Sequence, residues 1–154
     1  MARTMRCLAG LAVSLWALPL FATCNDAYLN AADSTSYENC KDRATSGEAS
    51  AQFGYGLILM SGHDRVSDPG EALKWFRAAA MQRHFLAQVS LGRYLSDERF
   101  LPAALRNEVE AYAWWSSSQQ IDPARSLWNR LSNQQRADAS RMAPEYERLY
   151  GSHP

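Results

Sequence analysis

From residue 70 onward the apolar positions recur at helical spacing. Ala72, Trp75, Phe76 and Ala79 fall at i, i+3, i+4 and i+7, one stripe along a helix over residues 70–82. Asp68 stands at the cap of that helix, Pro69 at its first position, and Glu71 completes a capping box. The same start signal returns as Asn107 and Glu110 and predicts a helix over 108–119. A third stripe, Ala124, Leu127, Trp128 and Leu131, follows Asp122 and Pro123, which read as cap and first turn. Ser132 and Gln135 form another capping box. They open a terminal helix to about Met142, and Pro144 then breaks or restarts it.

These blocks repeat. "ASAQFGYGLILMSG" at 49–62 matches "FLAQVSLGRYLSDE" at 85–98: Ala51 with Ala87, Gln52 with Gln88, Gly56 with Gly92, Leu59 with Leu95. Each pair is 36 residues apart. "DPGEALKWF" at 68–76 matches "NEVEAYAWW" at 107–115: Asp68 with Asn107, Glu71 with Glu110, Ala72 with Ala111, Trp75 with Trp114. Those pairs are 39 apart, so the second copy carries three more residues between its blocks. One unit is therefore a pair of helices. Gly62 stops the first helix of the first unit, and "HDRVSD" links it to the second.

Gly56 and Gly92 fall inside helices, where glycine costs about 1 kcal/mol relative to alanine. Equivalent positions in both copies point to a compensating close approach of a neighbouring helix, expected under Trp75 and Trp114. "SYENCKDRATSGEA" at 36–49 reads as the second helix of a preceding unit, ending near Gly47. The count is seven helices or so, about three and a half hairpins, enough for a self-supporting stack of repeats. The fold class expected is all-α, a solenoid of antiparallel helix pairs.

The amino terminus follows another pattern. Arg3 and Arg6 precede an apolar run from Cys7 to Cys24, and no charge returns until Asp26. That is the layout of an export leader over residues 1–24, cut at small residues. A run of 18 residues interrupted by Pro19 is marginal for spanning a bilayer. Three fates of Cys24 stay open: loss by cleavage after it, lipidation as a new amino terminus, or a disulfide with Cys40 in an oxidising compartment. The first leaves Cys40 as a lone thiol. The domain plan is a leader (1–24), an amino-terminal capping helix (25–46), two repeats (47–121) and carboxy-terminal capping helices (122–154).

Composition narrows the function. The 154 residues are 47% hydrophobic and 21% charged, with zero formal net charge. Removing residues 1–24 takes two Arg and no acid, leaving 14 basic and 16 acidic residues. Nucleic-acid binding would need a basic surplus, so no such partner is expected. His63, His84 and His153 lie far apart without paired His or Cys spacing, so no metal site is expected. Nucleophile-elbow, phosphate-loop and dinucleotide glycine motifs are missing, so neither a cofactor nor an enzymatic activity is expected.

The "AxAQxxxG" helix, the spacing near 36 and the partner "EALKWFRAAA" resemble Sel1-like repeats, relatives of the tetratricopeptide repeat. The likeness is good for 47–119 and weaker to about 142. The ending "AYAWWSSSQQ…LSNQQRADASRMA" resembles the last repeat and cap of short bacterial exported members. Three features depart from the pattern: Arg83 and Glu98 stand where glycine is usual, and "DERFLPAALRN" replaces a compact loop. The resemblance implies a right-handed superhelix and a role as protein-binding module or adaptor in the bacterial cell envelope. Disulfide-rich members linked to β-lactam hydrolysis carry repeated cysteine pairs and an S-x-x-K motif, both missing from this chain.

In that repeat class the first helix of each pair lines the concave face. The positions there that differ between copies are Phe53/Val89, Leu57/Arg93 and Met60/Ser96. Exposed Phe53, Leu57 and Met60 beside Arg93 would suit an amphipathic helix or an extended peptide. If Phe53 and Leu57 instead pack on the amino-terminal helix, the face is structural. The competing readings are a small periplasmic enzyme, such as a hydrolase, with a site assembled only by folding, and a passive structural envelope protein. The expected location is periplasmic or secreted. Membrane attachment follows only if Cys24 is lipidated or the leader is uncut.

Overall fold

The computed structural model describes Cys24, residues 34–62 and residues 67–151. The leader up to residue 23, linker residues 63–66 with His63, and His153 lie outside the described residues. Seven α-helices lie wholly among the described residues, in order: α1 Ser34–Thr45, α2 Ala49–Ser61, α3 Pro69–Met81, α4 Phe85–Ser96, α5 Glu108–Ser117, α6 Ile121–Arg130 and α7 Asn133–Tyr150. A 3₁₀ turn, Ala103–Leu105, precedes α5, and no strand occurs among the described residues. Each helix from α1 to α5 packs on the next in the chain, which makes an α-solenoid of antiparallel pairs.

The repeat is visible in the bonds as well as in the letters. Gln52 donates through Nε2 to the Ala44 carbonyl at 3.3 Å, and Gln88 does the same to Ala80 at 3.2 Å. Both buried amides thus satisfy a carbonyl at the end of the preceding helix. The Asp68 amide donates to the Leu59 carbonyl, and the Asn107 amide to the Leu95 carbonyl, each at 3.0 Å. Gly47, Arg83 and Gln119 hold φ of +98°, +64° and +58°, successive positions 36 residues apart. The left-handed corner that turns one unit into the next is therefore kept even where its residue is not glycine.

The helix starts follow the sequence except at α6, and the box expected at Asp68 forms only in its forward half, the Glu71 carboxylate accepting from Lys74 instead. Asp68 accepts from the Glu71 amide at 2.9 Å, Asn107 from the Glu110 amide at 3.1 Å, and Ser132 and Gln135 form a reciprocal capping box. Helix α6 instead begins at Ile121 without a side-chain cap, and Asp122 pairs with Arg125 at 3.7 Å. Glu110 has a second task. Arg77 donates to its two carboxylate oxygens at 2.7 and 2.8 Å, and Trp114 Nε1 to Oε1 at 3.2 Å. This buried carboxylate ties α3 to α5, and its bonds hold the Arg77 guanidinium charged, above the ordinary arginine value.

The helix glycines are compensated by a neighbouring ring, one position away from the expected tryptophans. A Cβ on Gly56 would lie 2.7 Å from the ring of Phe76, and one on Gly92 would run into the indole of Trp115. Phe76 and Trp115 are equivalent positions in the two units. Trp75 packs instead edge-on against Tyr55, with centroids 5.4 Å apart. Trp114 is fully buried and meets Tyr146 and Tyr150 at 4.7 and 5.4 Å.

Those two tyrosines explain a second departure. Helix α7 does not stop near Met142 but runs through Pro144 to Tyr150. It packs most extensively on α5, also meets α3, and hardly touches α6. Proline removes one backbone hydrogen bond inside a helix. Burial of the aromatic rings against Trp114 offsets that loss and carries the helix on. The loop after α4 is also built rather than slack: Leu101 is fully buried, and Phe100 packs edge-on against Tyr94 at 5.2 Å.

Two substitutions test this packing. Gly92→Ala should destabilise the protein by about 1–3 kcal/mol, as for overpacking against a rigid ring, where an open helix site would gain about 1 kcal/mol. A denaturant midpoint at or above that of the parent chain would refute the close approach. Arg83→Gly should be neutral or stabilising by up to about 1 kcal/mol, since glycine relieves the left-handed corner. A clear loss of stability would show that the arginine side chain matters more than its φ.

Candidate functional site

The first helices of the two units, α2 and α4, carry the six residues singled out from the sequence, and the structure divides them. Phe53 and Leu57 are half-buried and line an apolar groove of about 350 Å³ with Gly54, His84, Leu86 and Cys24. Phe53 also packs inward, with its ring centroid 5.7 Å from Phe76 and 5.0 Å from His84. Met60 and Val89 are half-buried and line neither this groove nor the charged cleft beside α6. Arg93 is exposed, its guanidinium 4.9 Å from the centroid of Phe100. Ser96 lines the charged cleft beside α6 and not the groove. It is only 8% exposed, and its hydroxyl donates back to the Gly92 carbonyl at 2.7 Å. A short hydroxyl in the last turn of a helix finds a nearer partner in its own backbone than in solvent.

The groove brings together residues the sequence reading did not. Leu86 is 54% exposed, and Phe85 and Met81 beside it are exposed too. A signal was present: the core stripe of α4 is Ala87, Leu91 and Leu95, and Phe85 and Leu86 fall off it. His84 is the N-cap of α4, where Nδ1 accepts from the Ala87 amide at 3.3 Å. Burial lowers its pKa below the ordinary histidine value. At the groove's edge Arg43 makes a two-point pair with Glu48, at 2.8 and 2.5 Å. That pair raises the arginine pKa and lowers the carboxylate's. An apolar trough with a sparse polar rim can hold apolar side chains of a peptide or helix.

Two other cavities are built differently. A charged cleft of about 680 Å³ lies between the loop after α4 and helix α6. Its carboxylates face guanidinium groups: Asp97 with Arg99, Glu98 with Arg106 at 4.0 Å, and Glu108 with Arg130 at 3.6 Å. Bonds from Arg99 hold the Asp97 carboxyl down, at about 2. Such pairing suits a fixed surface better than proton transfer, which needs a group poised near the working pH. An aromatic cleft of about 400 Å³ is lined by Tyr112, Trp115, Ile121 and Trp128 between α5 and α6. Among the described residues no group of three or more His, Cys, Asp or Glu could hold a metal. No helix among them is long and apolar enough to cross a membrane.

No protein-family model and no curated protein matches the chain. A solved structure does. It is a protective antigen present in uropathogenic Escherichia coli strains, displaying an SLR fold, and it aligns with a TM-score of 0.68 at 24% identity. The alignment covers 83% of this chain and 30% of that one, so the chain spans under a third of the neighbour's length. The likeness shows the fold: the chain has a Sel1-like repeat fold.

The half-buried His84 cap yields a pH test. His84 is more readily neutral in the folded chain than in the unfolded one. Its contribution is therefore present above about pH 6.5, the ordinary value, and is lost as pH falls below it. His84→Ser keeps a good cap without the titrating ring. The difference between the variant's and the parent's melting temperatures should move in the variant's favour from pH 7.5 to pH 5. Melting curves that stay parallel across that range would contradict the burial.

Proposed function

We propose that the chain is an exported protein-interaction module, an adaptor of the bacterial cell envelope. Its groove between α2 and α4 holds an apolar segment of a protein partner. The observation that carries this reading is the groove itself: Phe53, Leu57 and Leu86 converge there while Leu86 and its neighbour Phe85 stay exposed. Large apolar side chains left in water on a rigid scaffold are the ordinary anchors of a peptide interface. The Sel1-like repeat fold supports it, because stacked helix pairs present extended surfaces shaped for partners. The leader-like residues 1–24 support export to the periplasm or beyond.

The groove also says what the partner brings. Its lining is mainly apolar, so the complementary segment presents large apolar side chains, spaced as one face of an amphipathic helix or as alternate residues of an extended strand. Arg43 and Glu48 already satisfy one another, so the partner's charge contributes little there.

A photoreactive residue at position 86 should crosslink one defined partner in cells exporting the full chain. The same residue at position 141, on exposed α7, should not. Adding Leu57→Asp should abolish the adduct at position 86, with a circular-dichroism melt within a few degrees of the parent. Equal crosslinking from both positions, or an adduct that survives Leu57→Asp, would reject the groove as the binding face.

A further inference from the structure

We infer that Cys24 stays in the mature protein as half of a structural disulfide with Cys40, and that this bond completes the groove between α2 and α4. The inference rests on the exported reading only for its oxidising compartment.

Three observations carry it. The Cα atoms of Cys24 and Cys40 lie 5.1 Å apart, joined through their sulfurs, and both side chains are buried. The two cysteines are integral to a small core with Ala44, Ala51, Tyr55 and Ile58, flanked by Tyr37 and Trp75. And Cys24 fits a site made for it: its Cβ fills the space that any side chain at position 54 would need, so Gly54 and Cys24 are matched. Cys24 also forms part of the groove wall beside Phe53, Leu57 and Leu86.

This arrangement excludes the other fates of Cys24. A sulfur committed to a disulfide cannot carry a lipid thioether, and a chain cut after residue 24 has lost the sulfur. Whatever cut is made therefore falls before Cys24. The bond forms by thiol–disulfide exchange. Cys40 and Cys24 together lose two electrons and two protons, and an exchange catalyst's disulfide of the export compartment is reduced to a dithiol. The amino-terminal core is the smaller of the two clusters, so it depends most on such a staple.

The test uses the full chain, expressed with its own leader in a bacterial host and purified without reductant. Intact mass should show Cys24 present, no acyl group, and no uptake of alkylating reagent by Cys24 or Cys40 until reduction. Peptide mapping should find the two residues in one linked pair. On reduction, amide exchange across Ala49–Ile58 should rise at least tenfold while Glu108–Ser117 stays protected. A chain beginning after Cys24, an acylated Cys24, or Cys40 alkylated before reduction would overturn the inference. So would unchanged exchange across Ala49–Ile58. A chain that keeps Cys7, with Cys24 and Cys40 still linked, would uphold the staple and count instead against leader removal.

Discussion

Short helices lying side by side are the constraint on which this molecule depends. Helices α1 to α6 run 10 to 13 residues, a length at which an isolated helix is marginal in water. They persist because each buries a stripe against a neighbour, and at two of those contacts a glycine lies under a ring. Phe76 covers Gly56, and Trp115 covers Gly92. The absent Cβ lets the backbones approach, and the aromatic ring supplies the buried area that the glycine gives up. The Nε2 donors of buried Gln52 and Gln88 and the Arg77–Glu110 pair then fix the register, because a shifted helix would take their partners away.

The groove is a consequence of that stacking. Between the two first helices, the positions that differ between copies need not serve the repeat. Phe53 and Leu57 fill part of that freedom from one side and Leu86 from the other. The disulfide closes a wall from the amino-terminal side, and the His84 cap sets where α4 begins. The surface proposed for binding is thus supported by elements whose first duty is structural. Phe53 is the clearest case, at once packed against the core ring of Phe76 and lining the groove.

The far end of the solenoid is finished by a different device. Helix α7 leaves α6 at once and lies along α5, with Tyr146 and Tyr150 on Trp114. Gln88 donates to the Tyr150 carbonyl at 2.8 Å, which couples the terminal helix to α4. The stack is closed by folding its last helix back over its own core.

Helix periodicity, the 36- and 39-residue offsets and the caps at Asp68, Asn107 and Ser132 were legible in the chain alone, and with them the solenoid. They are local or periodic, and local geometry decides them. Tertiary packing decided the rest. It placed Phe76 and Trp115, rather than Trp75 and Trp114, over the glycines, because which side of a helix faces a neighbour depends on the crossing of the pair. It carried α7 past Pro144, turned Ser96 inward, joined Cys24 to Cys40, and gathered Phe53, Leu57 and Leu86 around one groove. Those outcomes bring together residues from different helices, and no single stretch of chain encodes where another will lie.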